Sequence, residues 1–198
     1  GADEVRFAAG RLGHALQLDG KVAVEVESPP TFDGPSAFSL GAWVKVQATS
    51  GCVLSRMEKA PSFRGFDLMV SDSRLEVHLV HQWPTNAIKV RTKDALPQNQ
   101  WLHVLATVDG SGKAAGVRLL VNGRPREVEV QHDSLTGSFA SAEPWRVGAR
   151  AGEAWFTGSI DDLLVYDRAL APKEVQALVF SAFVPVIART GGQRTHEE

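Results

Sequence analysis

Apolar and polar residues alternate with a period of two along most of the chain. In Phe38-Ser39-Leu40-Gly41-Ala42-Trp43-Val44-Lys45-Val46, the residues Phe38, Leu40, Ala42, Val44 and Val46 share one face. Trp101 to Asp109 repeats the pattern, with Leu102, Val104, Ala106 and Val108 on the inward side. Val117–Val121 runs into Asn122-Gly123 and returns from Arg124 to Val130. An Asn-Gly pair between two such runs predicts a hairpin, because a type I′ turn needs two positive φ angles. Further strands are predicted at Ala15–Leu18, Val22–Val26, Cys52–Arg56, Phe66–Val70, Leu75–His81, Trp145–Val147 and Ser159–Tyr166. Asp19-Gly20, Pro29-Pro30, Asp33-Gly34-Pro35, Asp72-Ser73, Asp109-Gly110 and Ala151-Gly152 punctuate them as turns. Many short strands, each with one apolar face, predict an all-β protein: a two-sheet antiparallel jelly-roll sandwich.

Helical patterning is confined to the end. Pro172 to Leu178 places proline in a first turn and sets Val175 and Leu178 three apart. Ala171 before it has no side-chain oxygen to cap the helix, a loss of roughly 0.5–2 kcal/mol against Ser or Asp. A second short helix is predicted over Ala182–Ala188, and Thr190–Glu198 reads as a polar linker. The expected division is therefore a sandwich over residues 1–180 and a helical, linker-like tail over 181–198 leading toward a further domain.

With 198 residues, 43% of them hydrophobic, the chain can bury one sizeable core. Its net charge of −2, from 21 basic and 23 acidic side chains with no run of one sign, argues against nucleic acid as a partner. No stretch approaches the ~18 apolar residues of a membrane-spanning helix, so no membrane partner is expected. Cys52 is the single cysteine. Intrachain disulfides and thiolate metal clusters are thereby excluded, and its apolar neighbours predict a small buried hydrophobe.

Three stretches in order carry a family resemblance: Leu16-Gln17-Leu18-Asp19-Gly20, Phe38 to Lys45, and Trp101-Leu102-His103-Val104 with Val121-Asn122-Gly123. The closing segment Phe156-Thr157-Gly158-Ser159-Ile160-Asp161-Asp162-Leu163-Leu164-Val165-Tyr166-Asp167-Arg168-Ala169-Leu170 is the most diagnostic. Together they resemble the laminin-G-like family of the concanavalin A-like lectin/glucanase superfamily. Arg64-Gly65-Phe66-Asp67-Leu68 and Val77 to Val90 narrow the likeness. They resemble modules inside large planctomycete and verrucomicrobial proteins that also carry cytochrome-c-like domains. The resemblance implies a module of a larger exported bacterial protein, extracytoplasmic (periplasmic or cell-surface), with neighbouring domains of that host as partners. The chain itself has no Cys-x-x-Cys-His haem-attachment site.

Two groups of residues are candidates for binding. The run His81-Gln82-Trp83-Pro84-Thr85-Asn86 offers an aromatic face for a sugar ring, with His81 and Asn86 as orienting polar groups and Arg56 and Arg64 at neighbouring strand ends. The same run is also explained if Trp83 packs beneath its own loop. Adjacent Asp161 and Asp162 must point to opposite faces of a strand, so one carboxylate meets apolar surroundings and needs a cation or several donors. The resemblance implies a structural Ca²⁺ here, held by Asp161 or Asp162 with loop carbonyls around Asp19. Capping of turns, or pairing with Arg168, explains the two aspartates without a metal. Trp43, on the side opposite Phe38 and Leu40, either packs under a second layer or lines a ligand face.

No catalytic constellation emerges. Glu127 and Glu129 share a face, as do Glu25 and Glu27, but an outer solvated face accounts for both pairs. The Glu-x-Asp-x-x-Glu arrangement of the superfamily's glycosidases is absent. His78 and His81, three apart, fall on opposite strand faces and cannot share a metal ion. The expectation is a non-enzymatic lectin-like module whose partner is a polysaccharide or other glycan. The alternative is a structural or protein-interaction domain with no sugar ligand.

Overall fold

A computed structural model describes residues 5–11, 13–26 and 30–181. Among them are fourteen strands in two seven-stranded antiparallel sheets, as the alternating pattern predicts. The first sheet runs, in spatial order, β1 (Arg6–Ala9), β2 (His14–Asp19), β14 (Thr157–Tyr166), β4 (Phe38–Val46), β9 (Trp101–Val108), β10 (Val117–Val121) and β11 (Arg124–Pro125). The second runs β12 (Val128–Asp133), β8 (Asn86–Thr92), β7 (Arg74–Gln82), β6 (Gly65–Ser71), β5 (Gly51–Met57), β13 (Trp145–Val147) and β3 (Val24–Val26).

The core fills the space between the sheets. Phe38, Leu40, Ala42 and Val44 of β4 and Leu102, Val104, Ala106 and Val108 of β9 face Phe66, Leu68 and Val70 of β6 and Leu75, Val77 and Leu79 of β7. The non-core positions of β6 and β7 then point away from the first sheet, onto the outer face of the second.

Three strand expectations are corrected. The return from Asn122-Gly123 is not one strand to Val130: it pairs Val121 with Arg124 and Leu120 with Pro125, then crosses to the second sheet as β12. Pro125, which has no N–H to give a ladder, stands where the first sheet lets the chain go. Asn122 and Gly123 do carry the positive φ angles of the turn, 52° and 73°. Residues 86–92, for which no strand is predicted, form β8 between β12 and β7 of the second sheet, and β1 precedes the first predicted strand.

The helix α1 (Pro172–Ser181) forms where expected, three residues longer than the apolar spacing indicated. Glu174 makes the reciprocal half of a capping box, its Oε2 accepting the Ala171 N–H at 2.8 Å, while Ala171 still offers the first turn no side-chain oxygen. Val175 packs with Leu105, Leu120 and Leu170, and Val179 packs with Trp43 and Trp101. These sheet residues occupy the outer side of β4, β9 and β10, so α1 roofs the first sheet and Trp43 lies beneath it. The segments 182–188 and 190–198, expected as a helix and a linker, lie outside the described residues, as does Glu27.

Candidate functional site

Among the described residues no helix covers the outer face of the second sheet, which holds a cavity of about 230 Å³. Its position follows from the register of the β6–β7 hairpin, which sets Asp67 opposite His78 and Met69 opposite Glu76. β7 and β8 then bring Lys89 opposite His78. Asp67, Glu76, His78 and Lys89 are the polar partners in alternations whose apolar members fill the core.

Asp67 is fully buried and doubly held. His78 donates from Nδ1 to Oδ1 at 2.8 Å, and Arg150, arriving from the loop after β13, donates from Nε to Oδ2 at 2.8 Å. Burial by itself would raise the Asp67 pKa, but the charges and hydrogen bonds of Arg150 and His78 bring it down to about 2. Glu76, 1% exposed, places Oε2 3.2 Å from Lys89 Nζ and 3.7 Å from His78 Nε2. Its Oε1 is buried and has no hydrogen-bond partner among the described residues. Glu76, His78, Lys89 and Arg150 thus stand in the cavity wall, with Asp67 buried behind it.

The remaining wall is apolar. Met57, Val80 and Ala87 form a small cluster on which Phe63 and Trp83 pack. The half-buried Trp83 ring meets His78 edge-on at 5.8 Å between centroids and His132 at 4.8 Å. Its backbone N–H donates to Ser62 O at 2.9 Å, which ties the Trp83 turn to the Phe63 loop. The Arg150 guanidinium lies over Phe63 at 5.7 Å.

Of the residues put forward from the sequence for ligand or metal binding, Trp83 alone lines this cavity. His81 donates from Nδ1 to Ser138 O at 2.6 Å. Asn86 Oδ1 accepts the Thr136 N–H at 2.8 Å while its Nδ2 donates to Thr136 Oγ1 at 2.8 Å. Both side chains therefore brace the 134–138 loop. Arg56, opposite the core residue Phe66, donates from Nε to Glu143 O at 3.0 Å, and Arg64 Nε donates to His81 O at 3.3 Å. These four act on backbone around the sheet's end and do not join Trp83 around one ligand space. Asp67, Glu76, His78, Lys89 and Arg150 were not foreseen as a site.

The aspartates proposed for calcium do not converge either. Asp161 Oδ2 accepts the Arg11 N–H at 2.8 Å and Oδ1 the Asp162 N–H at 2.9 Å. Asp162 follows in a bulge of β14 with φ of 45°, and burial together with the neighbouring Asp161 raises its pKa. Asp19 pairs with Thr157, four positions before Asp161 on β14, or about 13 Å at ~3.3 Å per residue. Its Oδ1 accepts the Lys21 N–H at 3.1 Å. Arg168 pairs with Glu174 rather than with either aspartate. Among the described residues no group of three His, Cys, Asp or Glu side chains is placed to hold a metal. The three aspartates therefore do not fit a shared calcium site.

Comparison with known proteins agrees with this architecture. The sequence model of the laminin-G family, described as the concanavalin A-like lectin/glucanases superfamily, matches residues 18–176, and the chain belongs to that family. Domain 4 of the extracellular arabinanase AbnA from Geobacillus stearothermophilus, solved with arabinotriose, superposes with a TM-score of 0.65 at 24% identity. That likeness covers 90% of this chain and 82% of the other. The sialidase carbohydrate-binding module of Ruminococcus gnavus, solved with α2,3-sialyllactose, gives a TM-score of 0.63 at 17% identity over 83% and 96% of the two chains. The binding domain of Paraclostridial mosquitocidal protein 1 reaches 0.65 at 18% identity, over 91% of this chain and 46% of that one. At these identities the likeness is one of fold. Among curated proteins, no sequence matches the chain.

Proposed function

We propose that this chain is a non-catalytic, lectin-like binding module that seats a glycan in the pocket on the outer face of the second sheet. The observation that carries this reading is the pocket's construction: a buried polar floor at Glu76 and Lys89 beside the aromatic wall of Trp83 and Phe63. Binding sites for small molecules combine apolar walls with a few convergent polar groups in this way, and aromatic faces suit the C–H side of a sugar ring. Two of the solved proteins with this fold hold sugars, one of them as part of an extracellular enzyme, which supports the reading.

The carboxylates argue for binding rather than hydrolysis. Both oxygens of Asp67 accept hydrogen bonds and its pKa lies near 2, so it holds no proton to give at neutral pH. Glu76 is paired with Lys89, its Oε2 3.2 Å from Nζ. Neither serves as the acid of a glycosidase pair.

In this reading the module belongs to a larger exported bacterial protein of the kind its sequence resembles, and tethers it to polysaccharide outside the cytoplasm. An architectural, protein-binding role calls for a broad apolar surface. The exposed large apolar residues Val5 and Phe7, Val130 and Phe180 stand at the first strand, on β12 and on α1 respectively.

The test is a polysaccharide and glycan array followed by titration calorimetry with wild type and Trp83→Ala. Binding that falls at least about ten-fold in the variant, with folding retained, supports the site. Absence of binding across the array, or binding indifferent to Trp83, overturns it.

A further inference from the structure

The unpartnered oxygen of Glu76 indicates what kind of sugar the pocket takes. We propose that the pocket selects an uncharged sugar ring, whose adjacent hydroxyls bridge Glu76 Oε1 and Lys89 Nζ. This deepens, and rests on, the glycan reading above.

An ionised carboxylate accepts and cannot donate, so Oε1 calls for a donor. Leaving a buried acceptor of this kind bare costs free energy, and native proteins supply a partner from protein, water or ligand. Glu76 lines the cavity, and although Oε1 is shut from solvent in the resting rotamer, a turn of the carboxylate presents it to a ligand there. A hydroxyl reproduces the hydrogen bond of a displaced water and adds its ring's contact with Trp83.

Charge decides among the sugars. An anionic sugar would place a carboxylate beside Glu76, and the cations that might receive it already have their charge balanced by carboxylates. Arg150 gives Nε and Nη2 to Asp67, with Nη1 3.7 Å from Glu153, and Lys89 faces Glu76. An amino sugar would compete with Lys89 for a carboxylate that already has a counter-charge. A neutral hydroxyl does neither. Lys89 Nζ carries three donors, so it can give one to a second hydroxyl while keeping Glu76 Oε2. Two neighbouring hydroxyls of one ring would thus meet an acceptor and a donor side by side. A cavity of about 230 Å³ lies below the roughly 300–1,000 Å³ that enclose a drug-sized ligand, so it admits a single ring.

The experiment is competition calorimetry and saturation-transfer NMR with three sets of methyl glycosides. The first holds neutral hexoses and pentoses, the second the corresponding uronic acids, and the third the amino sugars. Each set is titrated into wild type, Glu76→Gln, Lys89→Met and Trp83→Ala. The expected result is binding of neutral rings alone, weakened at least about ten-fold in Glu76→Gln, where a charge-assisted bond becomes a neutral one. Lys89→Met, on the more exposed partner, is expected to weaken the same ligands, and it carries the test should Glu76→Gln fail to fold. Preferential binding of uronic acids or amino sugars, still lost in Trp83→Ala, overturns this inference and leaves the glycan reading standing. The same holds for neutral-sugar binding unchanged in Glu76→Gln and Lys89→Met but lost in Trp83→Ala. Binding unaffected by all three variants, or no binding in any set, overturns both.

Discussion

Arg150 Nε donates to Asp67 Oδ2 at 2.8 Å across 83 positions of the chain. The bond pins the loop after β13 to β6 and fixes one wall of the pocket. Asp67→Ala would leave Arg150 without its nearest counter-charge and His78 Nδ1 without its acceptor, a loss of roughly 3–5 kcal/mol. In a domain of this size that is a fall of about 10 °C in melting temperature by circular dichroism. The double variant Asp67→Leu/Arg150→Met, which removes both charges, is expected to lose less than the single one. A single variant that melts within about 2 °C of wild type would show that the pair carries little of the fold.

His103 gives the domain a pH dependence. It is fully buried on the outer side of β9, edge-on to Trp43 at 5.5 Å, and neither ring nitrogen has a hydrogen-bond partner among the described residues. Burial lowers its pKa from 6.5 to about 4. Folding thus favours the neutral ring: the stability is fully present above pH 6.5 and is lost progressively as pH falls through the unfolded value toward 4. The loss is on the order of 3 kcal/mol at its limit. Urea unfolding from pH 7.5 to 4 measures it, and His103→Leu should flatten the profile between pH 6.5 and 4. A variant profile as steep as wild type would assign the dependence to other groups.

Gly65 sits at the start of β6 with φ of 136°, and a Cβ there would run into Arg56 O and the Met57 backbone on β5. Neither can retreat without breaking the β5–β6 ladder. Gly65→Ala should therefore cost about 3 kcal/mol or more in chemical denaturation, strain and clash together. A cost under about 1 kcal/mol would mean that the strand pair yields locally.

At the Asp161–Asp162 bulge, both Asp161 oxygens are taken by backbone N–H groups and Asp19 lies four positions away along the sheet. Melting with excess Ca²⁺ and with EDTA should give the same temperature. Asp161→Asn should lower stability by about 1 kcal/mol through the weakened bonds to Arg11 and Asp162. A calcium-dependent rise of several degrees, abolished in Asp162→Ala, would place a cation at this bulge.

The sandwich was legible because its core obeys a local rule. Every second residue of β4, β9, β6 and β7 is apolar, and that face fills the core between the sheets. The Asn122-Gly123 turn was equally local. The crossover after Pro125 was not, since Val128 and Val130 alternate as well in one sheet as in the other. The pocket was harder still, because its polar residues stand on β6, β7, β8 and the loop after β13, and alone each resembles a solvated position. One signal did exist. Counting outward from the predicted Asp72-Ser73 turn places Asp67 opposite His78 and Met69 opposite Glu76, a carboxylate against an imidazole on the side that avoids the core. Arg150 carries no comparable signal, for its approach depends on how a loop folds over a neighbouring strand. The aromatic in His81–Asn86 was recognised, but its polar neighbours serve their own loop, a distinction that residue type does not encode.

The helix over the first sheet makes the two broad surfaces of the sandwich unequal. Val175 and Val179 seal one with hydrocarbon, while the other keeps its charged hollow open to solvent. Such a body has a front and a back. It can rest its helical side against a companion and still meet a third party head-on, so anchoring and capture need not compete for the same ground.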